Sequence, residues 1–552
     1  MSKSFTAEQV KQHNTEKDIY IIVDDGVYDM SSFLDNHPGG KKIVLKVAGQ
    51  DASKQFWKYH NKAILNKYKP KLQVGTIGGG GETAPAKKSE AKKVIDSAVP
   101  SNVNGVAVPS VKASSPVQDA PAEKDFFGDM VPYADPSWYQ GWASPYYKES
   151  HKRLREEVRE WVEAEIMPNC HEWDEAKSMP ESVYRQMGER GYLCGAIGLK
   201  FPKEYTDIRV KSVSPEEWDH FHELILTDEL ARCGSGGVVW NLLGGYGIGL
   251  PPLFKFGQAA LKKRVIPDII AGKKRICLAI TEPDAGSDVA NLTCSAKLSP
   301  DGKHYIVNGE KKWITNGLLA DYFTTAVRTG GDGMKGVSLL CIEKTMPGIT
   351  CKQMKCMGVW SSATTYITFE DVKVPVENLI GKENEGFKAI MQNFNHERIG
   401  IIIQSNRFAR VCYEEAFKYS LKRKTFGQRL FDHGVINMKL AQMGRQLEAA
   451  HAKLEEVIYQ TQVMGDTEAM LMLGGAVAGL KAQSTLMFEY CAREAAQIFG
   501  GLSYTRGGQG EKVERLYRDV RAYAIPGGSE EIMLNLSIKQ GTKVNQALGL
   551  KL

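Results

Sequence analysis

The chain has 552 residues, far more than one hydrophobic core supports, and this length predicts three to four domains. With 42% hydrophobic and 25% charged residues it reads as an ordinary globular protein, and a net charge of +6 gives no reason to expect a nucleic-acid partner. No apolar run approaches the roughly 20 residues of a transmembrane helix, and the ten cysteines lack CxxC pairs, which excludes a disulfide framework and a zinc-ribbon pattern.

The N-terminal stretch "MSKSFTAEQVKQHNTEKD" has neither the apolar core of a secretory signal nor the acid-poor character of a transit peptide. The protein is therefore expected to be intracellular, with cytoplasm, peroxisome and mitochondrion left open. Residues 1–77 mix short β-like runs such as "IYIIVDDGVYDM" with amphipathic helical segments. Residues 78–125 change character: prolines at 85, 100, 109, 116 and 121 and almost no aromatic mass predict a flexible linker. A flexible chain of that length has a root-mean-square span on the order of 35–40 Å.

The body then changes period. Residues 126–275 carry helical patterns such as "HKRLREEVREWVEAEI", and 276–385 turn to short β-like runs separated by Asp-Gly and Asn-Gly turns. Residues 386–545 are helical again, with long segments such as "INMKLAQMGRQLEAAHAKLEEVIYQ". Helices, a compact β block and a helical bundle are the expected order.

In the first module, His37 and His60 stand 23 residues apart among Phe33, Leu34, Ile43, Val44, Val47, Phe56, Trp57, Ile64 and Leu65. Pro38-Gly39-Gly40 forces a tight turn after the first histidine. Two neutral imidazoles can fill both axial positions of an iron inside an apolar shell. A loop histidine and a helix-terminal histidine are the plainer alternative. The segment around "HPGG" and "FWKYH" resembles the cytochrome b5 family. That resemblance covers residues 5–77 and implies a small α+β domain holding a non-covalent haem b, with His37 and His60 as axial ligands.

Four segments of the body carry polar groups in the pattern of a cofactor site. "AITEPDAGSDVA" offers hydroxyls and backbone N–H groups after a strand, although it also reads as a decorated turn. "NGEKKWITNG" places Trp313 and Thr315 on alternate strand positions, hence on one face. "LKRKTFGQRL" brings Arg423 beside Thr425 and Phe426, and "AAQIFGGLSY" ends a helix on Gly500-Gly501.

Together these segments resemble the acyl-CoA dehydrogenase family over roughly 135–545. The resemblance implies an N-terminal all-α domain, a β-barrel-like middle domain and a C-terminal four-helix bundle. It places Ile280, Thr281, Gly286 and Ser287 near FAD, with Ser287 also near the acyl-CoA phosphates and Arg398 on the substrate. Trp313 would cover the isoalloxazine and Thr315 would bond toward N5. Arg423, Thr425 and Phe426 would reach the FAD of a neighbouring subunit, and Gln497, Gly500 and Gly501 would follow its pyrophosphate. A homodimer or homotetramer sharing FAD sites is implied.

The family abstracts the α-proton of an acyl-CoA thioester with a carboxylate. Most members carry that base in a loop near the C-terminus, where "YAIPGGSEEIM" here places Gly527. A minority branch, including isovaleryl- and long-chain-specific members, supplies it from an "ER" pair on the helix opening the last domain. The stretch "FNHERIGIII" holds that pair as Glu397-Arg398. Glu397 is accordingly expected to be the base, with the N–H of Gly527 stabilising the enolate oxygen. A structural Glu397–Arg398 pair and a base at Glu530 or Glu531 are the alternatives. His396 reads as a helix histidine, or as a group tuning Glu397.

The implied activity is α,β-dehydrogenation of an acyl-CoA to the trans-2-enoyl-CoA. Electrons would leave through the tethered haem, electron-transferring flavoprotein or another one-electron acceptor. An acyl-CoA oxidase using oxygen and a non-catalytic flavin/haem scaffold are the competing readings.

Overall fold

The structure is a computed structural model, and it describes residues 3–34, 41–59, 62–77, 126–198 and 200–549. His37, His60 and the expected linker 78–125 lie outside the described residues. The chain divides into two units, Met1–Lys124 and Asp125–Leu552.

The first unit contains β1 (Lys3–Phe5), α1 (Ala7–Gln12), β2 (Asn14–Thr15), β3 (Asp18–Val23), β4 (Gly26–Asp29), α2 (Lys41–Leu45), α3 (Ser53–Tyr59), α4 (Lys62–Leu72) and β5 (Gln73–Ile77). Its sheet runs β1-β5-β4-β3-β2, with β1 parallel to β5. Strand alternation divides β3 between two cores. Ile19, Ile21 and Val23 pack with Leu34, Val44 and Leu72, whereas Ile22 packs with Val10 and Val27 on the other face. Phe33, Val47, Phe56, Leu65 and Tyr68 border the first core and are only partly buried. Trp57 departs from the expected apolar shell. Its ring is 38% exposed, and its Nε1–H donates to Asp24 Oδ1 at 2.8 Å. The indole has a polar edge, and Asp24 satisfies it at the surface.

The second unit opens with α5 (Glu149–Trp161), α6 (Cys170–Ala176), α7 (Glu181–Glu189), α8 (Tyr192–Gly195), α9 (His220–Ala231), α10 (Gly236–Val239), α11 (Gly245–Phe256) and α12 (Ala259–Ile270). Strands β6 (Ile276–Ala279), β7 (Ser295–Leu298), β8 (His304–Ile314), β9 (Tyr322–Arg328), β10 (Val337–Glu343), β11 (Ile349–Gln353), β12 (Thr365–Pro375) and β13 (Leu379–Ile380) follow. They form one sheet in the order β11-β12-β8-β7-β9-β10-β13, with β6 parallel to β9. The chain then enters α13 (Gly386–Lys422), a hairpin of β14 (Lys424–Thr425) and β15 (Gln428–Arg429), and α14 (Gly434–Met464). It ends with α15 (Asp466–Met472), α16 (Gly474–Phe499), α17 (Glu511–Ala524) and α18 (Glu530–Ala547). The expected order of helices, β block and helices is therefore present. Among the described residues no helix is long and apolar enough to cross a membrane.

Helix α13 is the central rod, 37 residues long. Its buried Arg407 donates to Asp135 Oδ1 at 2.9 Å and to Asp228. Arg159 on α5 bonds the same Asp135 at 3.1 Å and Glu229 on α9 at 2.8 Å. Burial opposes ionisation of Asp135, yet Arg407 and Arg159 hold its carboxyl far below the usual range. Buried charges of this kind fix register more than they add stability. Here they set the depth and rotation of α13 against α5 and α9.

Candidate active site

Glu397 lies in the fourth turn of α13, on the face it shares with Ile401 and Gln404. Its Oε2 is buried and receives no hydrogen bond from a protein group. Burial raises the carboxyl above its usual range, against the pull of Arg398, Lys481 and His396. A carboxylate that is desolvated and left with a free oxygen is poised to take a proton.

The turn between α17 and α18 closes over this face. Gly527 has φ +67°, and a Cβ built on it would stand 2.8 Å from Ile401 Cδ1 and 3.8 Å from Glu397 Oε1. Only glycine suits that left-handed backbone at so close an approach. Two cations hold the turn. Arg398 Nε donates to Gly527 O at 3.0 Å, and Lys481 Nζ on α16 donates to Ala524 O and Gly528 O, both at 2.8 Å. Burial lowers Lys481 to about 8, partly offset by Glu530 and Glu397. Arg398 was expected at the substrate; the structure places its guanidinium on the turn and on Asn395 Oδ1 at 3.3 Å. Glu530 accepts from Thr485 Oγ1 at 2.8 Å, and Ser529 caps α18 through Ile532 N. Glu530 and Glu531 thus begin a helix.

Gln404, two turns beyond Glu397, accepts from Tyr523 OH at 2.8 Å and Trp240 Nε1 at 3.1 Å. Trp240 opens a π-helical turn, Trp240–Gly244, that joins α10 to α11. Wider turns of this type gather at functional sites. At its end, Gly244 passes so close to Thr315 that a Cβ would meet Thr315 Cγ2 at 3.0 Å. Gly245 N donates to Asn316 Oδ1 at 2.9 Å. This chain of contacts links the Glu397 face to the rim of the β block. His396 points elsewhere: its Nε2 pairs with Glu223 at 2.7 Å. Burial opposes its protonation, but the Glu223 carboxylate raises it above its usual value.

On the β rim, Ile280 is buried, Thr281 is half-buried, and Gly286 and Ser287 are exposed. Glu282 anchors this loop. It accepts from Lys311 Nζ at 2.7 Å, Thr293 N at 2.6 Å and Cys294 N at 3.0 Å. The expectation that Trp313 and Thr315 alternate along one strand is corrected. Strand β8 stops at Ile314, and Trp313 has φ +59°, which breaks the alternation. The indole is instead turned outward, 49% exposed, with Lys312 Nζ 4.5 Å from its centroid.

The remaining predicted residues form a second group. Arg423 ends α13, and Phe426 at the tip of the β14–β15 hairpin is 97% exposed. Thr425 Oγ1 and Gln428 Nε2 both bond the His433 ring, at 3.2 and 3.0 Å, so the tip is braced. Tyr419 stacks on Phe499 at 4.4 Å, which sets the hairpin base beside the end of α16. There Gln497 and Gly500 are exposed, and a Cβ on Gly500 or Gly501 would meet nothing within 4 Å. Ser503, which follows the glycine pair, donates to Ala496 O and Gly500 O at 2.9 Å and closes the helix end.

The sequence reading missed Lys481, Gln404, Trp240 and the Glu282–Lys311 pair. A lone lysine inside the apolar run "AVAGLKAQSTLMF" was the one available signal for Lys481.

A bundle-borne carboxylate facing a glycine turn, next to a β block with an outward indole, suits removal of a proton beside a planar ring. Comparison with known proteins agrees. Residues 148–273, 277–372 and 384–541 match the N-terminal, middle and C-terminal domains of acyl-CoA dehydrogenase, and residues 6–78 match the cytochrome b5-like heme/steroid binding domain. Acyl-CoA dehydrogenase apdG of Emericella nidulans is 44% identical over 427 residues, 76% of this chain and 98% of that protein. Caffeyl-CoA reductase-Etf complex subunit CarC of Acetobacterium woodii is 32% identical over 395 residues, 70% of this chain and 97% of that protein. An acyl-CoA dehydrogenase from Bacillus anthracis complexed with FAD superimposes with a TM-score of 0.66 at 26% identity, covering 74% of this chain and 71% of that chain. The chain belongs to the acyl-CoA dehydrogenase family, with a cytochrome b5-like domain at its N-terminal side.

Proposed function

We propose that Glu397 removes the α-proton of an acyl-CoA thioester and that the product is the trans-2-enoyl-CoA. The observation that carries this reading is the buried, unpartnered Glu397 Oε2 beside the side-chain-free turn at Gly527. Desolvation raises the basicity of Glu397, and the nearby Arg398 and Lys481 keep the carboxylate accessible to ionisation. The proton passes to a Glu397 oxygen while negative charge develops on the thioester oxygen. The N–H of Gly527, held by the Arg398 and Lys481 bonds to its turn, is the donor for that oxygen.

The residues present fit FAD. Trp313 offers an outward ring face, the exposed Gly286–Ser287 backbone offers donors, and Gly500–Gly501 leave open space where a phosphate chain can approach. FAD supplies the hydride acceptor for the β-hydrogen. The exposed Phe426 and Arg423 suit contact with the cofactor of a second copy, which supports a homodimer or homotetramer with shared sites.

The N-terminal domain adds a one-electron carrier. Partly buried Phe33, Val47, Phe56, Leu65 and Tyr68 provide apolar mass of the kind a haem b packs against, and His37 and His60 are its proposed ligands. Tethering raises the effective concentration of such an acceptor to about millimolar. Electron-transferring flavoprotein is the external acceptor favoured by the likeness to CarC, whose name places it in an Etf complex.

The test is anaerobic mixing of acyl-CoA with the full chain and with Glu397→Gln. Flavin bleaching in the parent and its loss in the variant, with FAD retained, is the expected result. Equal bleaching in both would remove Glu397 as base. Steady peroxide formation in air would favour the oxidase reading, and a flavin that no acyl-CoA reduces would favour the scaffold.

A further inference from the structure

A cavity of 120 Å³ lies between α9, α11, α13 and the segment from α14 to α16. Asn393 and Gly400 line it, and these are the helical neighbours four before and three after Glu397. The cavity therefore begins one side chain away from the carboxylate, around the same helix. At Gly400 no side chain intervenes, and a Cβ built there would meet nothing within 4 Å.

Much of the wall is apolar, with Leu224, Pro252, Phe256 and Ile403. Thr227, Thr461 and the paired Glu223 and His396 add polar groups, and two further side chains bring acceptors with no protein donor. Gln392 Oε1 and Asn393 Oδ1 are buried and receive no hydrogen bond from a protein group. The orientation of Asn393 is set by its Nδ2, which donates to Ile248 O at 2.9 Å, so the atom left open is the acceptor Oδ1. Buried acceptors are normally paired, and a pocket that leaves two open is complementary to a ligand that brings a donor.

We infer that the acyl chain of the substrate runs from its α-carbon at Glu397 past Gly400 into this cavity, and carries a hydrogen-bond donor, a hydroxyl or amide N–H, that meets Gln392 and Asn393. The inference rests on the acyl-CoA reading above and names its substrate class. An apolar cavity of about 150 Å³ holds a benzene ring, so this one takes a tail of roughly four to six heavy atoms by the same measure. A plain saturated chain would press methylenes against two amide oxygens and leave both unpaired. Sites built to bond a polar group discriminate strongly against the analogue that lacks it.

The test compares butyryl-CoA, octanoyl-CoA and the ω-, (ω−1)- and (ω−2)-hydroxyoctanoyl-CoA isomers with the FAD-loaded full chain. At least one hydroxylated isomer is expected to exceed octanoyl-CoA at least tenfold in kcat/KM. Calorimetry on Glu397→Gln, which binds without turnover, should give the same order of affinity. Gln392→Leu should shrink the preference, and Gly400→Leu should slow the octanoyl series relative to butyryl-CoA by tenfold or more. Bleaching by butyryl- and octanoyl-CoA, with no hydroxylated isomer binding or reacting better, overturns the inference and leaves the dehydrogenase reading standing. Bleaching by none of the thioesters overturns both.

Discussion

Glu397 Oε1 lies 3.8 Å from the point where a Cβ on Gly527 would stand, so a side chain at that turn would sit against the carboxyl. A second acid there would place like charges in one desolvated site and drive one of them to protonate. Ile401 Cδ1, at 2.8 Å from the same point, adds a steric bar. Moving the base by Glu397→Gln with Gly527→Glu is therefore expected to give no recovery of flavin reduction. Adding Ile401→Ala should restore a measurable rate in anaerobic stopped-flow. Recovery without the Ile401 change would show that the turn relaxes freely.

Lys481 is the positioning residue with the clearest signature. Its cation lowers the Glu397 carboxyl, and its two bonds hold the turn. Lys481→Met should lower the rate of flavin reduction by about tenfold, roughly the loss of one buried charge-assisted bond. It should also move the acid limb of the pH–rate profile to higher pH. The sign follows because Glu397 must be ionised to act, and removing a neighbouring cation makes ionisation harder. A slower variant with an unmoved acid limb would reduce Lys481 to a purely structural brace.

Asp135 and Arg407 hold the base helix by a buried pair. Removing one partner strands the other charge, and Asp135→Asn or Arg407→Met should destabilise the body by about 3–5 kcal/mol. Denaturant unfolding measures this. Because the folded state holds Asp135 below its ordinary value of 3.8, the stabilisation is full above that pH and erodes as pH falls below it. The variants should show a shallower loss of stability in acid than the parent.

The tethered domain makes a kinetic prediction. After anaerobic mixing with acyl-CoA, the haem bands should become reduced after the flavin bleaches. His37→Ala should leave bleaching in place and abolish the haem phase. A haem that stays ferric while flavin bleaches would rule out internal transfer.

The hairpin offers a further check. Phe426→Ala and Arg423→Ala are expected to weaken FAD retention by about five- to thirtyfold, on the order of 1–2 kcal/mol per lost contact. Flavin absorbance per chain after gel filtration reads this directly. Full retention would place the hairpin away from any cofactor.

Much of the architecture was legible because period and turn chemistry changed together along the chain. The proposed base at Glu397 was legible because the C-terminal turn carries glycine at 527 while a carboxylate stands in an apolar stretch at 397. What escaped was tertiary. A lone Lys481 or Gln404 inside a helix does not announce its partner, because side-chain bonds across 43 and 119 residues of sequence have no local pattern. Trp313 escaped for a different reason: strand alternation holds only while φ stays negative, and a left-handed residue at a strand end turns its ring outward. Trp57 was assigned by its bulk, whereas its polar edge decided where it went.

Helix α13 carries Glu397 near its beginning and runs straight into the Arg423–Phe426 hairpin at its end. At about 1.5 Å per residue, such a rod reaches roughly 55 Å. On the proposed reading, proton abstraction and the grip on a neighbouring copy are two ends of one stiff lever. If copies share flavin sites as proposed, prising them apart by dilution would be felt first at the flavin, while the carboxylate, on a helix pinned by the Asp135–Arg407 pair, would stay where it is.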